Sequence, residues 1–148
     1  MLTVPVHDLP HASPTAVSGP FWAGCARGEL LFQRCTECSA IAFPPAETCR
    51  TCLSPDLAWE KSAGTGRLYS WTVVWRPVTP AFTTPYAPAI IDVAEGYQLV
   101  TNLINVAIEE LAVDLPVCVT FHPAGALRLP YFQPFHLRQS AVQVRTGR

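Results

Sequence analysis

Four cysteines, Cys35, Cys38, Cys49 and Cys52, close a Cys-x2-Cys…Cys-x2-Cys set within eighteen residues, and nothing else in the chain limits its fold so tightly. A two-residue gap lets both sulfurs of a pair turn toward one point. Two such knuckles supply four soft ligands at about 2.3 Å from a tetrahedral Zn2+. The stretch between the pairs carries Pro44 and Pro45 and is too short to build an apolar core, so metal is expected to hold it together. Another metal such as iron, a redox dithiol and two disulfides are the competing readings. A redox Cys-x2-Cys usually sits near a βαβ pattern and needs no second copy. With all four positions filled by protein, the expected zinc is structural and leaves no ligand position open for catalysis.

The chain is one domain-sized unit of 148 residues, so the cysteine segment is a small satellite on a larger body. Charged residues make up 14% of it, against about 25% in an average soluble protein, while apolar residues reach 49%. So little charge favours an apolar face covered by a partner. Ten Lys+Arg against eleven Asp+Glu give −1, and four thiolates with one Zn2+ move that to −3. Lys61 is the only lysine. This is not the basic footprint of a nucleic-acid binder. No apolar run approaches eighteen residues, and the N-terminus lacks the early basic residues and apolar stretch of a signal peptide. Thiols kept for metal fit a reducing cytoplasm. Cys25 and Cys118 match no motif and are expected to behave as small apolar side chains.

Met1 to Pro14 has no periodicity and reads as an extended arm. Ser18-Gly19-Pro20 looks like a helix start, with Ser18 as N-cap, Pro20 in the first turn and Gly28 ending a short helix that carries Phe21 and Trp22. Leu30–Arg34 and Ile41–Phe43 read as strands entering and leaving the first knuckle, and Gly64 and Gly66 mark a junction. From there the pattern is β. Leu68 to Trp75 reads as one strand with Tyr69, Trp71, Val73 and Trp75 on one face and both faces covered. A proline-heavy loop follows, Pro77 to Pro88, holding Phe82 and Tyr86. Ala89–Val93, a Glu95-Gly96 hairpin turn and Tyr97–Ile104 come next. A helical turn at Ile108–Leu111, then strands at Val117–Phe121 and Leu129–Phe132, complete a mostly β chain. Five strands with one short helical turn before the fourth suit a closed OB-type barrel. The tail after Pro134 alternates Ala141/Gln143 with Val142/Val144 and reads as loose or laid on a partner.

The segments FWAGCARGELLFQRCTEC…PP…CRTC, GRLYSWTVVWRP, PYAPAIIDVAEG, LVTNLI and LPYFQP, together spanning about Phe21 to Pro134, resemble the DUF35 proteins, OB-fold acyl-CoA-associated zinc-ribbon proteins. The cysteine spacing is shared by many ribbons; its combination with the Phe-Trp helix, the Gly-x-x-Tyr-Ser-Trp-Thr strand and the Pro-Tyr…Glu-Gly hairpin is specific. The resemblance implies an N-terminal arm and short helix over 1–29, a rubredoxin-like zinc ribbon over 30–63, a five-stranded OB fold over 64–134 and a tail over 135–148. It also implies an accessory role: a non-catalytic subunit required by an acyl-CoA-processing enzyme complex, its partner a thiolase-superfamily enzyme (thiolase, related aldolase or acetyltransferase) or a MaoC-like enoyl-CoA hydratase of steroid side-chain breakdown. Acyl-CoA would then be the ligand of the complex. Family members often carry an Ile-Gly-Met-like turn before the fourth strand, where this chain has Val113-Asp114-Leu115-Pro116; a glycine there permits φ > 0.

The residues themselves offer no catalytic set. His7, His11, His122 and His136 lie in the arm, at a strand end and in the tail, none beside a recognisable nucleophile motif. Asp92 and Glu95, three apart at a hairpin, read as a solvated turn rather than an acid/base pair. Tyr69, Trp71 and Trp75 are suitable platforms for nucleobases, yet only Arg67 and Arg76 flank that strand, so a single-stranded nucleic-acid module is the weakest reading. Arg67, Arg76 and Arg128 are the candidates to meet CoA phosphates. Phe21, Trp22, Arg67, Trp71, Trp75, Phe82 and Tyr86 are the expected partner or ligand surface, and no residue is expected to be catalytic.

Overall fold

In the computed structural model, residues 1–4 and 12–136 are described. Leu2, the second residue, is fully buried. Its backbone N–H donates to Val106 O at 2.8 Å and its carbonyl accepts from Asn105 N at 2.7 Å. The arm read as extended from the sequence is thus pinned near its start, because one large apolar side chain fills a gap in the core. Its residues 5–11, with His7 and His11, lie outside the described residues, as does the tail beyond 136.

Helix α1, Gly19–Ala26, begins after Ser18, whose side chain makes no capping bond. Ser18 instead exchanges hydrogen bonds with Thr15, accepting its N–H at 2.9 Å and donating its own to Thr15 Oγ1 at 3.1 Å. The helix ends as glycine requires. Gly28 takes φ 77, and the N–H groups of Gly28 and Glu29 bond back to Cys25 O and Gly24 O, a Schellman arrangement.

Strands β1 (Leu31–Cys35), β2 (Ile41–Ala42) and β3 (Leu57–Lys61) form an antiparallel sheet in the order β2-β1-β3. The remaining strands are β4 (Thr65–Trp71), β5 (Ala87–Val93), β6 (Tyr97–Leu103), β7 (Pro116–Ala124) and β8 (Leu127–Pro134). They close into a barrel, β4-β5-β6-β8-β7, sealed by β4 on β7. A 3-10 turn, Ile108–Glu110, precedes β7. This is the strand order and helical insertion of an OB fold. One seam is thin: β6 meets β8 in parallel at the single pair Leu103–Phe132.

β4 is shorter than the run of β-prone residues suggests. It bulges between Leu68 and Ser70 and ends at Trp71. Its partner strand contains Pro88, which has no N–H to donate, so the ladder fades into one bridge between Val74 and Tyr86. The expected two covered faces are corrected as well. Tyr69 is 53% and Trp75 65% exposed.

A chain of rings joins the three parts. Trp22 meets Phe21 edge-on at 5.1 Å, Phe21 meets Phe43 at 5.8 Å, and Phe43 and Phe32 lie against Tyr97 at 4.8 and 5.3 Å. Helix, ribbon and barrel thus share one core, and each ring pair adds about 0.5–1.5 kcal/mol beyond its buried area.

Candidate metal centre and contact surface

The two cysteine pairs are built on one repeated turn. In each knuckle the residue after the second cysteine, Ser39 or Leu53, takes positive φ (63 and 64) and donates its N–H to the first cysteine's carbonyl, at 2.9 and 3.0 Å. The first cysteine's N–H returns to the carbonyl one residue further on, Ala40 or Ser54, at 2.9 and 2.8 Å. This closure aims both sulfurs of a pair inward. All four Sγ atoms lie within 4.8 Å of one another, with Cys35–Cys52 at 3.5 Å and Cys38–Cys49 at 3.6 Å. A tetrahedron with metal–sulfur bonds of about 2.3 Å has edges of about 3.8 Å, so the quartet fits Zn2+. Cys35 and Cys49 are buried, while Cys38 and Cys52 face outward. The N–H groups of Cys52 and Thr51 point at Cys49 and lower its thiol from 9.0 to about 6, whereas Cys38 and Cys52 are raised with the other sulfurs crowded against them, so four thiolates together need a cation's charge.

Neighbouring residues hold the knuckles in place. Gln33 is buried and exchanges two bonds with Ala46: its Nε2 donates to Ala46 O at 3.1 Å, and Ala46 N donates to its Oε1 at 2.8 Å. Arg34 Nε donates to both oxygens of Glu60, at 3.0 and 3.1 Å, while Nη1 donates to Ser39 O. Neither residue stands out in the sequence, because each is recognised only by a partner far along the chain.

The aromatic candidates divide. Phe21 is 6% exposed and belongs to the shared core; Tyr86 is also buried and stacks on Phe82 at 5.2 Å. Trp22 and Trp71 are half-buried, and each borders a surface depression. Trp75, past the end of β4, is exposed. Arg67 is exposed and donates to Asp114 O at 3.1 Å; Arg128 donates to Phe121 O at 2.9 Å; Arg76 is exposed. The three arginines are not brought together on one lining.

His122 stacks on Tyr131 at 5.6 Å and lies 3.3 Å from Thr120 Oγ1. Burial, then the charge of Arg128, push its pKa below 6.5. His136 is exposed. Of the two hairpin carboxylates, Asp92 is exposed as the sequence suggests and Glu95 is half-buried. Asp92 accepts from Gln98 Nε2 at 2.8 Å, whereas Glu95 reaches back to the ribbon–barrel junction, accepting from Ser62 Oγ and Ala63 N, both at 2.7 Å.

Residues 22–58 match the family described as ChsH2, rubredoxin-like zinc ribbon domain, and residues 59–122 the ChsH2, C-terminal OB-fold domain. A solved structure titled as an Ltp2-ChsH2(DUF35) aldolase superposes with a TM-score of 0.78 at 33% identity, over 84% of this chain and 98% of that one. The chain belongs to the DUF35 family. Among curated relatives, a probable enoyl-CoA hydratase alpha subunit of Thermomonospora curvata is 38% identical over 116 residues, 77% of this chain. This chain spans only 36% of that subunit's length. A DUF35 domain-containing scaffold protein of Methanocaldococcus jannaschii is 29% identical over 62% of this chain and 67% of its own. The zinc ribbon, the barrel and their order are thus family features. No helix among the described residues is long and apolar enough to cross a membrane.

Proposed function

We propose that this DUF35 chain is a non-catalytic accessory subunit of a thiolase-superfamily enzyme that makes or breaks a C–C bond in an acyl-CoA thioester. The observation that carries this reading is the likeness to a chain of the structure titled Ltp2-ChsH2(DUF35) aldolase, over 84% of this chain and 98% of that one. Chemical arguments support it. The four cysteines would hold a Zn2+ with every ligand position filled by protein, so the metal would supply shape rather than Lewis-acid chemistry. The two hairpin carboxylates do not act as a pair: Glu95 is engaged by Ser62 and Ala63, and Asp92 by Gln98. Reactive groups would then come from the partner, and this chain would supply a shaped, weakly charged surface.

A second reading, partnership with a MaoC-like hydratase, is favoured by the relative named as a hydratase alpha subunit. Parallel co-expression with a thiolase-like and with a MaoC-like subunit from the source genome, followed by native mass spectrometry, separates the two. The expected result is a zinc-loaded heteromer with the thiolase-like subunit. A heteromer with the MaoC-like subunit alone assigns the second reading, and no heteromer with either sinks both.

A further inference from the structure

The two knuckles share one turn but not one surrounding. In the first, Arg34 Nη1 donates to Ser39 O at 3.1 Å, and the N–H on the far side of the same peptide, that of Ala40, points at the Cys38 sulfur. The second knuckle repeats only the inner half. The Ser54 N–H points at Cys52, while among the described residues no side chain donates to Leu53 O. One peptide is gripped from outside and its counterpart is not.

The grip is held on two further sides. Arg34 lies on β1 with its guanidinium 5.5 Å from the centre of the buried Phe32 ring. Its Nε is engaged by both oxygens of Glu60 on β3, at 3.0 and 3.1 Å. A planar fork fixed by a ring and a carboxylate presents Nη1 to Ser39 O with little freedom left to lose. A charged donor on a carbonyl polarises the whole peptide, so its N–H becomes a stronger donor to what lies beyond. Here that is Cys38, which with Cys52 is exposed and open to an attacking ligand.

Four thiolates and one Zn2+ would carry −4 and +2, a centre at −2, and a thiolate that keeps an N–H partner is harder to displace. We propose that Arg34 is a positioning residue of the metal centre, acting through the Ser39–Ala40 peptide on Cys38 and slowing the loss of metal from the first knuckle. Glu60 is its anchor. The inference concerns the metal site alone and holds whichever catalytic subunit the chain serves.

The test uses the zinc-loaded full chain beside Arg34→Gln, Arg34→Lys and Glu60→Gln, with Arg50→Gln as control. Arg50 is exposed inside the second knuckle, so its replacement removes the same charge without releasing a knuckle carbonyl. Zinc transfer to a chromophoric chelator is timed, and the sulfur-to-metal charge-transfer band of the cobalt-loaded chain is recorded. Arg34→Gln is expected to speed the transfer about tenfold and to move the band to longer wavelength, as Cys38 loses hydrogen bonding. Arg34→Lys keeps the charge without the fork and recovers part of both. Glu60→Gln falls between Arg34→Gln and the native chain, and Arg50→Gln leaves both readouts unchanged. A lower melting temperature with native rate and band in Arg34→Gln makes Arg34 a strand clamp only, and overturns the proposal. An equal acceleration by Arg50→Gln assigns the effect to charge alone and overturns it too. If Arg34→Gln does not fold, Arg34→Lys and Glu60→Gln decide, and native rates and bands in both overturn it as well.

Discussion

The Ser62 hydroxyl donates to Glu95 Oε2 at 2.7 Å, across the junction where the ribbon hands over to the barrel. Ala63 N donates to the other carboxylate oxygen, and Gly64 N donates to the same Ser62 hydroxyl at 3.0 Å. Ser62 is 5% exposed, so this is a polar knot at the edge of a dry core. Replacing Glu95 by Ala removes an acceptor shared by two donors, and is expected to cost about 1–3 kcal/mol. For a chain of this size that lowers the melting temperature by roughly 2–4 °C per kcal/mol, with zinc content unchanged. Calorimetry with parallel metal analysis checks it; an unaltered melt shows that the knot contributes nothing to the junction.

Cys49→Ser is expected to lose zinc and to yield insoluble protein. Structural zinc supplies about 10–16 kcal/mol of folding free energy in small metal-held modules, more than a ribbon of three short strands can replace. The readouts are metal per chain and soluble yield. Soluble, folded and metal-free protein would show the ribbon to be dispensable.

Asp114 takes φ 64, the left-handed conformation for which the family's glycine is suited, and its N–H donates to Leu68 O at 2.9 Å. Aspartate tolerates that region; a β-branched residue does not. Asp114→Gly is therefore expected to leave stability within about 1 kcal/mol, and Asp114→Val to lower it by about 1–2 kcal/mol. Chemical denaturation of both variants decides the point, and equal midpoints would show that the turn relaxes to a negative φ.

The depressed pKa of His122 makes a pH prediction. Its folded value lies below the unfolded 6.5, so acid protonates the unfolded chain first. The stability linked to this residue is complete above pH 6.5 and is lost as pH falls through the folded value. His122→Gln is expected to flatten the decline in melting temperature between about pH 7 and 5.5, a range chosen around the reference histidine value. Parallel curves for the two proteins would remove His122 as its cause.

Local features were legible in the sequence and distant partnerships were not. The quartet, the Gly28 stop, the Glu95-Gly96 hairpin and the five barrel strands each declare themselves within a few residues, because spacing, positive φ and alternation are properties of a short window. Leu2, Gln33 and Glu95 act on residues many positions away, so no pattern around them reveals their roles. The early end of β4 is a case between the two. Its own residues favour strand throughout, and what stops it is Pro88 on the neighbouring strand, seen only once the pairing is known.

The barrel's sealing pairs fix an order of events during synthesis. The ribbon is complete in the chain by Lys61, so the quartet can take up metal while the later strands are still unmade. β4 must then wait for β7, whose partner residues Pro116 to Cys118 follow it by some fifty positions, before its second edge is covered. A nascent chain would thus present a closed cysteine quartet, ribbon rings Phe32 and Phe43 still waiting for Tyr97, and an unpaired strand edge at the same moment, the edge being what chaperones or a partner would meet first.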